Sequence, residues 1–399
     1  MRWLLALAVV LAQEASAPLR LAPEEYPLRR AALAKRLPGG PLVLDAGVLR
    51  EPGDDANTAI LDFRYMAGFH DAEGLLVLKD GKAHVFVSDP KRPPQGDEEI
   101  HDIALFPEWA ADRLAAKTIH AKLRPKNLDL LRKAAPGAEI EAGPLRDELV
   151  RMRLVKNEAE VRLIRKASEA TAAAFRGIMK GLRPRLSEKD IQGIVLSAFK
   201  ANGCPETGFP PILGAGKNGT ILHYRDNDSE IAGGTLLLCD IGAACDGYSA
   251  DITRTFPVSG RFDPDQRKHY QGVLDALKAA EKVLRPGATF GDLDRAARAV
   301  FEERGLKKWS YAHSKDFAVR HGIGHHVGLN VHDSGTGREK FVPGMVVTIE
   351  PGWYDKDAGY GIRIEDLFLV TPDGCERLSA AAPREIEEIE QAMRPRRDY

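Results

Sequence analysis

Four carboxylates stand in this sequence where an apolar core should carry no charge. Asp240 falls in the run "LLLCDIG" and Asp251 opens "DITRTF"; Glu350 ends "VVTIE", and Glu365 lies in "GIRIED". In the last of these, alternation puts Arg363 and Glu365 on one strand face and Ile362 and Ile364 on the other. The stretch "HGIGHHVGLNVHD" adds His321, His325, His326 and His332, and five of the chain's 11 histidines fall between His313 and His332. Burying one unpaired charge costs several kcal/mol even after relaxation, so such acids need counter-cations or must keep their protons. Carboxylates gathered with imidazole, the commonest neutral metal ligand, suit a hydrolytic metal centre. Two divalent cations would cancel four carboxylates, and two ions about 3.5–4 Å apart are a known arrangement for hydrolysis. An oxygen-rich set with one nitrogen favours Mn2+, with Co2+, Zn2+ and Fe2+ as alternatives, whereas a structural zinc site would be expected to use cysteines.

The elements that must position these groups are legible around them. Asp246-Gly247 between two apolar runs signals a two-residue hairpin turn. Cys245 then faces Tyr248, Asp240 faces Thr253, Asp251 faces Gly242, and both acids share one face of the ribbon. Upstream, Val161, Ile164, Ala167, Ala170, Ala174, Phe175, Ile178 and Leu182 recur at helical spacing from Glu158 on. A second helix follows in "LSEKDIQGIVLSAFKANG", with Ser187 and Asp190 forming a capping box. A shift of 102 residues maps Leu182-Arg183-Pro184 onto Leu284-Arg285-Pro286, Ser187 onto Thr289, Asp190 onto Asp292 and His223 onto His325. Farther on, "LLLCDIG" answers to "VVTIEPG" and "GYSADITRTFPV" to "GYGIRIEDLFLV". Residues 155–380 therefore read as two related halves, each two helices followed by strands.

The rest of the chain bounds the reading. At 399 residues it has room for two domains, and 57 Lys+Arg against 58 Asp+Glu argue against nucleic acid as a partner. Residues 1–17, "MRWLLALAVVLAQEASA", read as a cleaved secretory signal, and no other segment is suited to a membrane span. An exported protein, periplasmic or secreted, is expected. Residues 18–152 read as an α/β domain, with strands in "LVL" (42–44), "TAILDF" (58–63) and a hairpin at 74–88 turning on Asp80-Gly81. A polar loop follows at 89–99, and helices are expected at Leu128 to Ala135 and Leu145 to Leu154. The histidines here, His70, His84, His101 and His120, are scattered and suggest no chemistry. Cys204, Cys239, Cys245 and Cys375 show no metal-binding spacing, and no disulfide is expected. "GAGKNG" (214–219) spells GxGxxG but "TILHY" follows it instead of a helix, so it is no dinucleotide site. No HExxH occurs.

The ordered set "DIG…SADITRTF", "HGIGHHVGLNVHD", "TIEPGWY" and "GIRIED" resembles the creatinase/prolidase/aminopeptidase P family of metallopeptidases. The likeness runs from about Asn157 to the C-terminal region, and "DFRYMAGF" with "GLLVL" more weakly resembles the family's N-terminal domain. It implies an α+β chain: a pseudo-symmetric "pita-bread" catalytic domain over 153–399 preceded by a smaller creatinase-like α/β domain. By resemblance, Asp240 chelates one metal, Asp251 and Glu365 bridge two, and His325 and Glu350 bind the second. The same likeness makes Glu350 the proton acceptor, His223 and His332 the outer histidines that hold substrate, and His321 and Arg363 supports for the ligands. The implied activity is hydrolysis of the bond between an N-terminal residue and a following proline. An Xaa-Pro dipeptidase and a catalytically inactive binding module are the alternatives, and self-association as a homodimer or homotetramer is implied by analogy. His326 and Val327 depart from the bulky apolar pair usual after the metal-binding histidine, and Asn330 stands where Asp is common.

Overall fold

The computed structural model describes residues 19–46, 58–69, 73–306 and 322–394. The expected signal segment and His70, His313 and His321 lie outside these residues. The chain divides into two compact units, Leu21–Leu154 and the portion from Val155 onward.

The first unit runs α1 (Glu25–Arg36), β1 (Leu42–Asp45), α2 (Thr58–Ala67), β2 (Leu75–Lys79), β3 (Lys82–Val87), β4 (Glu99–Asp102), α3 (Phe106–Arg113), β5 (Thr118–Lys122), α4 (Pro125–Ala134), β6 (Glu139–Glu141) and α5 (Gly143–Leu154). Its six strands form one mixed sheet in the order β4-β3-β2-β1-β5-β6. β2 and β3 pair through the Asp80-Gly81 turn, where both residues take positive φ, the conformation that matches a tight hairpin to strand twist. The core on one side gathers Val43, Val77, Phe86, Phe106, Ile119 and Leu131. The expected strand at 58–63 is instead the start of α2. The apolar run there continues through "RYMA", and Asp62 turns to a buried Arg153 (2.7 Å) and to Lys122, an anchoring no periodicity reveals.

The second unit opens with α6 (Glu158–Gly181) and α7 (Glu188–Ala201), then β7 (Glu206–Thr207), β8 (Ile212–Ala215), β9 (Leu236–Ile241), β10 (Ala243–Cys245), β11 (Tyr248–Ser249) and β12 (Ile252–Pro257). The pattern recurs as α8 (Pro264–Val283), α9 (Phe290–Glu303), β13 (Val346–Ile349), β14 (Gly352–Asp355), β15 (Tyr360–Arg363), β16 (Asp366–Thr371) and β17 (Gly374–Arg377), closed by α10 (Ile386–Ala392). α7 and α9 begin and end at the same 102-residue shift. Each starts on a reciprocal capping box, Ser187 with Asp190 and Thr289 with Asp292. α6 buries Leu163, Ile164, Phe175 and Ile178 along one stripe, with each large side chain contributing roughly 1.5–3 kcal/mol.

In the first half β9 is flanked by β8 and β12; in the second β16 is flanked by β13 and β17. The hairpin register is the one expected: Cys245 faces Tyr248 and Asp240 faces Thr253, with Asp246 and Gly247 in the left-handed region. Contrary to expectation, Cys204 and Cys245 form a disulfide, with Cα atoms 4.7 Å apart. The cause is the antiparallel pairing of β7 with β10, Thr207 opposite Ala243 and Glu206 opposite Ala244, which brings the chain before β7 alongside Cys245. Cys239 and Cys375 are free. The segment 214–219 leaves β8 into a short 3-10 turn and not a helix of dinucleotide-binding length.

Candidate metal centre

The hairpin β9–β12 and the strands β13, β15 and β16 deliver the carboxylates to one interior. Asp240 is next to the last residue of β9, Asp251 directly precedes β12, and Glu365 sits between β15 and β16. Asp240, Asp251 and Glu365 are all buried, at 8%, 5% and 2% exposure. Glu350, just past β13, and His325 are half-buried. One ligand atom each of Asp251, His325 and Glu365 lies within 4.8 Å of the other two. His325 Nε2 is 3.3 Å from Asp251 Oδ2 and 3.6 Å from Glu350 Oε1.

The strip carrying His325 is held as an added strand against β13. His326 bridges Val347; the Thr348 amide donates to the His325 carbonyl (2.9 Å) and the Glu350 amide to the Ile323 carbonyl (2.9 Å). The His325 amide in turn donates to Thr348 Oγ1 (3.0 Å). His325 Nδ1 lies 3.1 Å from the His326 carbonyl, which can only accept, so Nδ1 carries the proton and Nε2 presents its lone pair to the acids.

Arg363 is the counter-charge the fold supplies. It donates through Nη2 to Asp240 Oδ2 (2.6 Å), through Nε to Thr253 Oγ1 (3.1 Å) and through Nη1 to the Tyr354 hydroxyl (2.8 Å). Thr253 donates onward to Glu365 Oε2 (2.7 Å). One guanidinium does not balance four acids. Burial, then Asp240 and Glu350, push the Asp251 carboxyl well above its ordinary pKa, and burial, then Asp251, Glu350 and Asp240, do the same to Glu365. Arg363 opposes both shifts without cancelling them. Two buried atoms, Asp240 Oδ1 and Asp251 Oδ1, accept no hydrogen bond from any described donor. Excess buried negative charge, orphaned carboxylate oxygens and a correctly presented imidazole nitrogen together fit divalent cations.

Both outer histidines lie on the exposed rim of the site. His332 is exposed and meets the His325 ring edge-on, with centroids 4.4 Å apart. His223 is also on the exposed rim; partial desolvation of its ring lowers its pKa, with Asp240 opposing and Arg363 and His332 assisting. His326 turns away into the core, edge-on to Phe290, and its burial lowers its pKa to about 4. Sequence reasoning did not single out Thr253, Tyr354, Thr348 or Arg254. The hairpin register pointed to Thr253 as the partner of Asp240; nothing marked Tyr354. Arg254, fully buried, donates to the carbonyls of Thr253 (2.8 Å) and Glu365 (2.6 Å) and so fixes the backbone beneath two of these side chains.

Residues 162–372 match the model of metallopeptidase family M24. The chain belongs to this family. Xaa-Pro aminopeptidase 1 of Streptomyces coelicolor is 33% identical, with the alignment covering 92% of this chain and 87% of that protein. Xaa-Pro aminopeptidase of Escherichia coli is 36% identical over 65% of this chain and 63% of its own length. Among solved structures, aminopeptidase P from E. coli with the inhibitor Pro-Leu aligns at a TM-score of 0.81 and 27% identity, covering 94% of this chain and 98% of that one. Proline aminopeptidase P II from Yersinia pestis aligns at 0.80 and 28%, covering 92% and 98%. The M24 fold of this chain, α+β with two pita-bread halves, accords with the duplicated helix caps and strand order described above.

Proposed function

We propose that this M24 peptidase is an Xaa-Pro aminopeptidase, removing the N-terminal residue from peptides whose second residue is proline. The observation that carries the chemistry is the convergence of Asp240, Asp251, His325, Glu350 and Glu365 with an excess of buried negative charge that divalent cations would neutralise. The proline preference is supported by whole-chain likeness to proteins bearing that name.

Asp240, Asp251, His325, Glu350 and Glu365 would hold two divalent ions. The oxygen-rich set favours Mn2+ over Co2+, Zn2+ and Fe2+. When bound, such ions polarise the scissile carbonyl and acidify water near neutral pH. The chain's own groups do the rest. The Glu350 carboxylate takes the attacking water's proton and delivers it to the proline nitrogen, which must be protonated to leave. The His332 imidazole donates to the oxyanion as the carbonyl carbon becomes tetrahedral. His223, on the same rim, steadies the substrate, and Arg363 holds the Asp240 carboxylate in place through its Nη2.

An aminopeptidase leaves the pocket open beyond proline, whereas an Xaa-Pro dipeptidase closes it around a free carboxylate. Cleavage of Xaa-Pro-Xaa peptides at least as fast as the bare dipeptide supports the proposal; turnover of Xaa-Pro alone makes the protein a dipeptidase. A rate indifferent to chelator, with no metal by elemental analysis, would leave only a binding module. We also propose that the protein is exported to a periplasmic or extracellular space, a reading supported by the signal-like residues 1–17 and the Cys204–Cys245 disulfide. Homodimers or homotetramers are proposed by analogy alone.

A further inference from the structure

We propose that the N-terminal unit carries a second, separate divalent-metal site, formed by His84, Glu99 and His101 and suited to Zn2+. His84 is separated from Glu99 and His101 by a proline-rich loop, and strand pairing brings the three together. β4 pairs with β3 in parallel, which sets Glu99 beside His84 and His101 beside Phe86. Side chains two apart share a face, so all three candidate ligands point the same way. His84 Nδ1 is 3.2 Å from His101 Nε2 and 3.3 Å from Glu99 Oε2, and His101 Nε2 is 3.9 Å from that same oxygen. Tetrahedral Zn2+ with bonds of 2.0–2.1 Å sets its ligand atoms about 3.4 Å apart. Two of the three separations already match, and a small turn of the half-exposed Glu99 closes the third.

The surroundings favour an ion over a chance meeting. Trp109 packs on the His84 ring (centroids 4.7 Å) and Phe86 stacks on the His101 ring (4.9 Å), so both imidazoles are oriented before anything binds. Glu99 divides its carboxylate, Oε1 lying 3.6 Å from Lys82 Nζ while Oε2 faces the imidazoles. The carboxylate is 52% exposed, which leaves the fourth tetrahedral position to water. Two imidazoles and one carboxylate with an open position suit Zn2+, Co2+ or Fe2+ and not Ca2+ or Mg2+. Because β4 is an edge strand of the sheet, the ion would clip that edge to β3 and close the loop between Val87 and Glu99.

The test counts metal on the full-length protein. Wild type, His101→Gln and Glu99→Gln are equilibrated with Zn2+, freed of loose ion by gel filtration and analysed by elemental mass spectrometry. Wild type should hold one equivalent more than His101→Gln, and Glu99→Gln, a change on an exposed side chain that spares the packing, should bind that equivalent at least tenfold more weakly. The extra equivalent should persist in an Asp251→Asn/Glu365→Gln background, and the Co2+ form should lose one set of tetrahedral d–d bands on His101→Gln. Xaa-Pro cleavage should be unaffected by either N-terminal variant, so this proposal and the peptidase assignment fail separately. Equal metal content in all three proteins, or loss of the extra equivalent in the Asp251→Asn/Glu365→Gln background, would overturn it.

Discussion

Glu365 and Asp366 are adjacent and both buried (2% and 0% exposed), but the charges around one are the opposite of those around the other. Asp366 receives Arg254 Nη2 (2.6 Å), Arg384 Nη1 (2.7 Å) and the Ser379 hydroxyl (2.6 Å), with Arg377 at 3.5 Å. Burial works against its ionisation, yet Arg254, Arg377 and Arg384 hold its carboxyl well below the usual range. Glu365 faces three other acids across a single arginine, and its carboxyl is driven the other way. A buried acid whose counter-charges come from its own chain belongs to the scaffold. A buried acid left in deficit marks the place where something from outside must bind.

The widest separation between the two acids should appear in activity. Asp251→Asn or Glu365→Gln should reduce Xaa-Pro cleavage at least a thousandfold and lower bound metal, while the chelated protein unfolds no more easily than chelated wild type, because repulsion is relieved. Retained turnover in both variants, measured alongside metal content, would erase the distinction. Asp366→Asn leaves three arginines around a neutral group and should cost about 3–5 kcal/mol in denaturant unfolding, the range for breaking a buried pair. A loss under about 1 kcal/mol would mean that solvent, not Asp366, balances those arginines. His332→Ala lies outside both groups; it should slow turnover roughly a hundredfold with metal content unchanged. Metal loss there would enlarge the ligand shell beyond the five residues named.

The gentlest contrast is in pH. Asp251 and Glu365 have raised folded pKa values, so between about pH 4 and those values the folded chelated protein holds protons that the unfolded chain has released. Their contribution is complete below about pH 4 and declines as pH rises, at about 1.4 kcal/mol per unit for each proton retained. Asp366 runs in reverse: its contribution is present above about pH 4 and is lost as pH falls through its lowered folded value. Melting curves of chelated and metal-loaded protein from pH 5 to 8 should therefore diverge, only the chelated form losing stability with rising pH. Parallel curves would show that cations do not replace those protons.

What the sequence disclosed follows from the range over which its signals act. Helix caps, the Asp246-Gly247 turn and the 102-residue echo are local or repeated, and they located the acids, the hairpin register and the two halves. The helix at Thr58–Ala67 is not legible in the sequence because a short apolar run fits either period until its tertiary anchor, Asp62 with Arg153, is known. The Cys204–Cys245 bond and the His84–Glu99–His101 group depend on which strands lie side by side, β7 with β10 and β3 with β4. Neither pairing is joined by a tight turn, so no spacing rule exposes it. Tyr354 reaches Arg363 across the short hairpin of β14 and β15, where Gly352 faces Arg363 and Tyr354 faces Gly361.

Gly324 abuts the Thr348 carbonyl so closely that any Cβ there would overlap it. The ladder joining Ile323 and His325 to Thr348 and Glu350 thus tolerates no bulk at this position. Imidazole and glutamate therefore ride on one laminate, their backbones stapled to each other through β13. A single methyl at 324 would delaminate that pair without touching either side chain.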